Sequence, residues 1–455
     1  MFFAFRTKKN AEKLGFPFVL CLLIRNFVTP NILKDTMRQI LLLLALLLTL
    51  PAMGQNERRT IRSGEIWPDD TGVHINAHGG GIMKYGDTYY WFGEHKSDHT
   101  SAALVGVTCY ASKDLLNWHN CGVALSVSDE KDSDIERGCV LERPKVIYNP
   151  LTKQFCMWFH LELKGKGYNA ARYGVAVANR PEGPYRFLYS QRANAGTWPI
   201  EFREQELVTI DTLNEANFRE QWTPAWLKAV NEGLFVKRDF GTGQMSRDMT
   251  LYVDDDGKAY HIFSSEENLT LHIAELTNDY LHHTGRYTRV APAGHNEAPA
   301  IFKHDGTYWM ITSGCTGWAP NEARMFSAPS IWGPWTQHPN PCRGPKAELT
   351  FGGQSTFILT IDNGKQTAEE GQRSENSPQY IFMADIWRPR HPNDARYIWL
   401  PIGFEDGKPV IRWRDEWELF SQKNTYLIRK KLQNAWRIEK LSYLCSRFGK
   451  SRLLE

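Results

Sequence analysis

The chain has 455 residues and a net charge of +3, with 42% hydrophobic, 13% aromatic and 23% charged residues, an ordinary globular composition rich in rings. The charge is unevenly spread: residues 1–54 carry a net +5 and residues 421–455 a net +7, which leaves about −9 between them. An acidic body argues against nucleic acids and other polyanions as partners, and the eight cysteines include no CxxC pair of the kind that holds zinc.

In chain order, Met37–Gln55 (MRQILLLLALLLTLPAMGQ) sets a basic residue before an unbroken Leu and Ala run, then Pro and small residues. That pattern predicts a cleavable export signal with Met37 as the true start; it is short for a membrane span. A single uncleaved anchor is the other reading. Residues 1–54 are therefore assigned to an extension and signal, 55–420 to one folded domain, and 421–455 to a basic tail. In the tail, Tyr426, Leu427, Trp436, Ile438, Leu441 and Leu444 trace an amphipathic helix pattern, read first as a docking helix or a sequence-end artefact and otherwise as a membrane-surface or partner helix. Export would put the protein outside the cell or in the periplasm, where disulfides persist. Cys109 and Cys121 either face each other across a hairpin or stay as buried thiols.

Between these ends one pattern recurs five times: a polar residue, an apolar strand, a turn, then an aromatic strand. The copies begin at His78 (HGGGIMKYGDTYYWFGE), Glu142 (ERPKVIYNPLTKQFCMWFH), Asp248 (DMTLYVDDDGKAYHIFSS), Glu297 (EAPAIFKHDGTYWMITSG) and Gln354 (QSTFILTIDNGK). A third strand follows each copy (GVTCYAS, YGVAVAN, LTLHIAEL, ARMFSAP, RYIWLPI), and several copies show a GPY or GPW turn and a fourth. Three to four strands per repeat, five times over, predict an all-β fold, a five-bladed β-propeller. No sustained helical periodicity stands out between Ile61 and Phe420. Longer inserts fall at 186–245 and at 363–377, the latter a polar loop expected to be mobile.

The polar residues share one phase, since the residue four positions on is Ile82, Val146, Tyr252, Ile301 or Ile358. Arranged around an axis, five side chains converge, and Glu142, Asp248 and Glu297 are carboxylic acids. Cleaving a glycosidic bond needs an acid for the leaving oxygen and a group that activates or holds water on the opposite face. Glu297 is the expected acid, stiffened by Pro299, with Asp248 as the anion that raises its pKa. His78, beside bare glycines, is expected to contact a sugar or to bond strand ends. Gln354 has almost no proton affinity as an amide, yet it can hold a water. Trp91, Tyr168, Trp318 and Trp387 offer rings on which sugar faces stack, Trp318 first among them. Glu94 would bond a sugar hydroxyl or pair with Lys96.

At these residues the chain resembles glycoside hydrolase family 43 over about 64–420, and within it the exo-β-1,3-galactanase branch. The segments that carry the resemblance are NAHGGGI, YYWFGEHK, ERPKVIYN, SRDMTLYVDDDGKAY, EAPAIF, TSGCTGW, FGGQST and RYIWLPI. Most of the family begins the first blade with an Asp base, where this chain has Asn76, Ala77 and His78. The branch lacks that Asp too, and the resemblance implies that Gln354 positions the attacking water, through an imidic acid tautomer in one version. It further implies Glu297 as acid, Asp248 as pKa-modulating carboxylate, Glu142 as a further essential acid, and Tyr168, Glu94 and Thr316 as holders of the terminal galactose. The implied activity is inverting release of galactose from β-1,3-galactan such as plant arabinogalactan backbones. An α-L-arabinofuranosidase and a catalytically silent sugar-binding propeller are the alternatives. No cofactor is expected, no metal ligand set is assigned, a structural calcium is conceivable without a loop motif to announce it, and no protein partner is inferred.

Overall fold

The computed structural model describes residues 60–361 and 378–419, so the signal, the tail and the 363–377 loop lie outside the described residues. The first repeat folds as β1 (His78–Tyr85), β2 (Thr88–Glu94), β3 (Gly106–Ser112) and β4 (His119–Ser126). The second gives β5 (Val140–Asn149), β6 (Gln154–Glu162), β7 (Arg172–Ala178) and β8 (Arg186–Gln191). The third gives β9 (Met249–Val253), β10 (Ala259–Ser265), β11 (Thr270–Leu276) and β12 (His283–Val290). The fourth gives β13 (Asn296–His304), β14 (Thr307–Gly314), β15 (Arg324–Ala328) and β16 (Thr336–His338). A short β17 (Cys342–Arg343) precedes the fifth, which is β18 (Gln354–Ile361), β19 (Gln379–Ile386), β20 (Arg396–Glu405) and β21 (Lys408–Arg412), and pairs parallel with β21 at its outer edge.

Apart from β17, the strands within each sheet lie in sequence order, and the first strands β1, β5, β9, β13 and β18 contact one another around a closed ring. The fold is the predicted five-bladed propeller. Its second strands are mostly buried because both faces are covered by neighbouring blades: β6 (QFCMWFHLE) is buried at every position after Gln154, His160 and Glu162 included. Outer strands such as β8 are half-exposed, and their sequences lose the apolar run.

The ring is sealed between its first and last blades. Ile61 and Trp417 exchange backbone hydrogen bonds of 2.9 and 3.1 Å, and Ser63 Oγ donates to Trp399 O at 3.0 Å. Trp67 meets Trp399 at 5.0 Å between ring centroids, and Trp91 meets Tyr397 at 4.6 Å and Trp118 at 5.3 Å. Trp91 is 1% exposed. It is therefore a packing residue of this seam and corrects the expectation of a sugar-stacking ring.

The segment between β8 and β9 also departs from expectation, because it is helical: α1 (Glu204–Thr212), α2 (Pro224–Asn231) and α3 (Leu234–Arg238). Each is too short to show several turns of periodicity. What holds α2 is local and tertiary: the Thr223 hydroxyl caps Trp226 N at 3.2 Å, Pro224 opens the first turn, and Trp226, Ala229 and Val230 pack against Leu234, Phe235 and Leu269.

Candidate active site

Four of the five innermost strands break register just after their polar residue: between His78 and Gly81, Glu142 and Lys145, Glu297 and Ala300, and Ser355 and Phe357. In the first three the next residue has positive φ, at Gly79 (60°), Arg143 (55°) and Ala298 (55°). A bulge of this kind bends the strand end and re-aims its side chains. Glycine at position 79 also leaves room for Glu94, because a Cβ there would lie 2.1 Å from Glu94 Oε1 and push that carboxylate aside. The first blade thus contributes its carboxylate from β2, directly opposite His78 in the pairing.

The re-aimed side chains line a cavity of about 300 Å³ at one end of the ring, at the small end of ligand pockets, which run from roughly 300 to 1,000 Å³. Its wall includes Glu94, Glu142, Asp248, Glu297 and Gln354, and adds Lys96, Arg143, His160, Tyr168, Arg247, Asn268, Gly317, Trp318 and Trp387. His78 and Thr316 are not part of that wall. His78 is fully buried with its ring stacked on Tyr397 at 5.3 Å, a packing position in the seam, and neither ring nitrogen hydrogen-bonds a strand end. The Thr316 hydroxyl donates to Ala319 O at 2.6 Å and accepts from Asn321 at 2.7 Å, so it serves its own loop.

On one side, Gln354 Nε2 donates to Glu297 Oε1 at 2.7 Å and to Ser313 Oγ at 3.0 Å. Its Oε1 accepts from Arg143 Nη2 at 2.6 Å and Trp387 Nε1 at 3.0 Å. Guanidinium and indole are donors only, so they fix the amide orientation. They also leave an imidic O–H without an acceptor, and the free site therefore satisfies the amide form. All four hydrogen-bonding positions of the amide are filled, and a water can be held only if one partner yields. Arg143 spans to Asp248 Oδ2 at 2.8 Å and Ser355 O at 2.9 Å, with its guanidinium over Trp387. Burial and the Asp248 charge push Glu297 up to about 7, against the pull of Arg143, Cys315 and Gln354.

On the other side, Glu142 is ringed by donors. Tyr168 OH donates to its Oε1 at 3.1 Å, Lys96 Nζ lies 3.6 Å away, and His160 Nδ1 is 3.2 Å from Oε2. Burial would raise its pKa, but Lys96 and His160 outweigh that and hold it at about 2. The other His160 nitrogen faces Glu162 Oε1 at 3.0 Å, while Glu162 Oε2 accepts from Ala171 N at 2.8 Å. Burial opposes a charge on this ring, but the two carboxylates beside it outweigh burial and lift His160 to about 9. The predicted Glu94–Lys96 pair is present at 2.5 Å. Burial raises Glu94, partly offset by Lys96.

Arg143, His160, Glu162, Ser313 and Cys315 were not singled out from sequence. Asp385 and Lys145 were also missed; they lie one layer deeper, where Asp385 accepts from Gly79 N at 2.6 Å and Lys145 Nζ donates to Gly79 O at 2.9 Å. Burial shifts both toward about 7, Asp385 upward and Lys145 downward. Among the described residues, two groups bring ligand atoms within 4.8 Å of one another: exposed Asp98, His99 and His391, and Glu142, His160 and Asp248 on the cavity wall. The second could bind a cation only after His160 gave up a proton.

The model of glycosyl hydrolases family 43 matches residues 224–371. No curated protein sequence matches the chain. Among solved structures, a family 43 β-1,3-galactosidase solved with galactodeoxynojirimycin is 55% identical, with a TM-score of 0.74, covering 79% of this chain and 100% of its own. An exo-β-1,3-galactanase from Clostridium thermocellum is 33% identical, with a TM-score of 0.62, over 79% of this chain and 66% of its own. The Phanerochaete chrysosporium exo-β-1,3-galactanase, solved as a Glu→Gln variant with β-1,3-galactotriose, is 32% identical with a TM-score of 0.60, over 80% of this chain and 69% of its own.

Proposed function

The chain belongs to glycosyl hydrolase family 43, and from that premise we propose that it removes galactose, one residue at a time, from the non-reducing end of β-1,3-galactan, as in arabinogalactan backbones. The observation that carries the reading is Glu297: a cavity-wall carboxyl near pKa 7, bonded to the amide of Gln354 rather than to a second acid. The small cavity favours an exo mode, since its volume suits one terminal sugar.

In this mechanism the terminal galactose is held by the Glu142 side, where Glu94, Lys96, Glu142 and Tyr168 supply charged and hydroxyl partners. Glu297 gives its proton to the glycosidic oxygen as the bond to the anomeric carbon breaks. Water adds to the opposite face of that carbon, and its proton leaves to solvent or a nearby carboxylate. Gln354 releases one of its four partners to hold that water, which orients it without deprotonating it. A single displacement inverts the anomeric centre, so the sugar first released is α-galactose. Asp248 keeps Glu297 protonated near neutrality and anchors Arg143. The apolar run at 40–50 and the small residues after it support export, and hence work on extracellular or periplasmic polysaccharide.

Incubation of the protein with β-1,3-galactan and with arabinan, followed by analysis of released monosaccharide and early NMR of its anomer, tests the reading. Galactose appearing as the α-anomer is expected. Arabinose alone overturns the substrate, β-galactose overturns the single displacement, and binding without release overturns the enzyme.

A further inference from the structure

The general acid marks where the rest of the polymer must go. Glu297 protonates the leaving oxygen, so sugars on the reducing side of the broken bond depart past its strand and the surface beside it. That surface is covered by the helical segment between β8 and β9. The segment leaves the sheet at Gln191, which pairs with Tyr173, and returns to Asp248, so it stands at the cavity end of the ring. Its core packs on Leu269 and Ala293, in the two connections that flank Asn268 and Glu297.

Trp222, just before α2, is 53% exposed, more than Tyr168 or Trp318 at 43% each. Its ring lies 4.9 Å from that of His295 and 5.4 Å from Trp226. His295 is two residues from Glu297, about 7 Å along even a fully extended chain. Trp222 also holds a φ of 66°, a left-handed conformation that a bulky side chain adopts only at a cost. The ring packs on Trp226 and, across the segment boundary, on His295, and about half of the residue stays open to solvent.

We propose that Trp222 is the stacking platform for the galactosyl units on the leaving side of the bond, a binding subsite built by the helical insert outside the cavity. The apolar C–H face of a β-galactosyl unit covers the exposed indole, while His295 and Trp226 fix its angle. This rests on the galactanase reading above and adds to it a reason for preferring long chains over short glycosides.

The test compares kcat/KM on β-1,3-galactotetraose with kcat/KM on an aryl β-galactoside for the wild type, Trp222→Ala and Trp222→Phe. Trp222→Ala is expected to lower the tetraose-to-aryl ratio about tenfold, and Trp222→Phe to restore most of it. An unchanged ratio in Trp222→Ala, or equal loss on both substrates, overturns the subsite while leaving the galactanase reading intact. A wild type that releases no galactose from the tetraose sinks both.

Discussion

Glu142 and Glu297 occupy the same place in two blades, each before a bulge and each four residues ahead of a buried apolar residue. One is held at about 2 and the other pushed to about 7. Burial raises both, so the difference lies in what the neighbouring strands bring. Glu142 meets a lysine, an imidazolium and a phenol. Glu297 meets an anion, a thiol and a neutral amide, while Arg143, which would lower it, is shared with Asp248 and Gln354. Repeated backbone geometry delivers two carboxyls to one cavity, and their partners hold one ionised and leave the other able to carry a proton near neutrality.

The strongest way to break this contrast is Glu297→Gln, which keeps shape and removes the proton. Turnover on β-1,3-galactan should fall by roughly 10² to 10⁴ with oligosaccharide binding retained, and near-normal turnover would dismiss it as the acid. Glu142→Gln should leave Lys96 with Glu94 alone and His160 with Glu162 alone, one carboxylate each instead of two. We expect kcat/KM to drop about a hundredfold and unfolding stability to fall by roughly 1 to 2 kcal/mol, read by kinetics and by denaturant titration; an unaltered enzyme would show that the anion anchors nothing.

Asp248→Asn sharpens the other half. The wild type needs Glu297 protonated, so activity should decline as pH rises through about 7. Removing the nearby anion lowers the Glu297 pKa, and the alkaline limb of the pH profile should move to lower pH by about one unit. No movement, or movement upward, would sever that coupling. The smallest effect is on stability. His160 is raised in the folded state, so its contribution is full below the unfolded value of 6.5 and is lost as pH climbs through about 9. In that window wild-type stability should decline by at most about 1.4 kcal/mol per pH unit, a slope that His160→Gln should flatten.

The shared phase of Glu142, Asp248, Glu297 and Gln354 was legible because period-two strands put equivalent positions at equivalent heights. His78 obeys the same phase but turns into the seam, as Glu94 already fills the space beside Gly79. Arg143 escaped notice because it follows Glu142 directly, and simple alternation sends it to the other face. The bulge at that point overrides the alternation. His160 and Glu162 sit within an apolar run that reads as core, and only the pairing of Glu142 with His160 brings them to the cavity. The helices between β8 and β9 were illegible because each is nine residues or fewer and gains its order from contacts with other blades.

The cavity straddles the joint where the ring was closed. Glu94 and Lys96 come from the first blade, Gln354 and Trp387 from the fifth, and the tryptophans behind them are the mortar between the two. A sugar that grips both sides acts as a rivet: the joint cannot part without releasing it. An occupant present at a hundred times its Kd would add about 2.7 kcal/mol to the closed ring, so the wall proposed to hold the terminal galactose is also where an occupant would reinforce the fold.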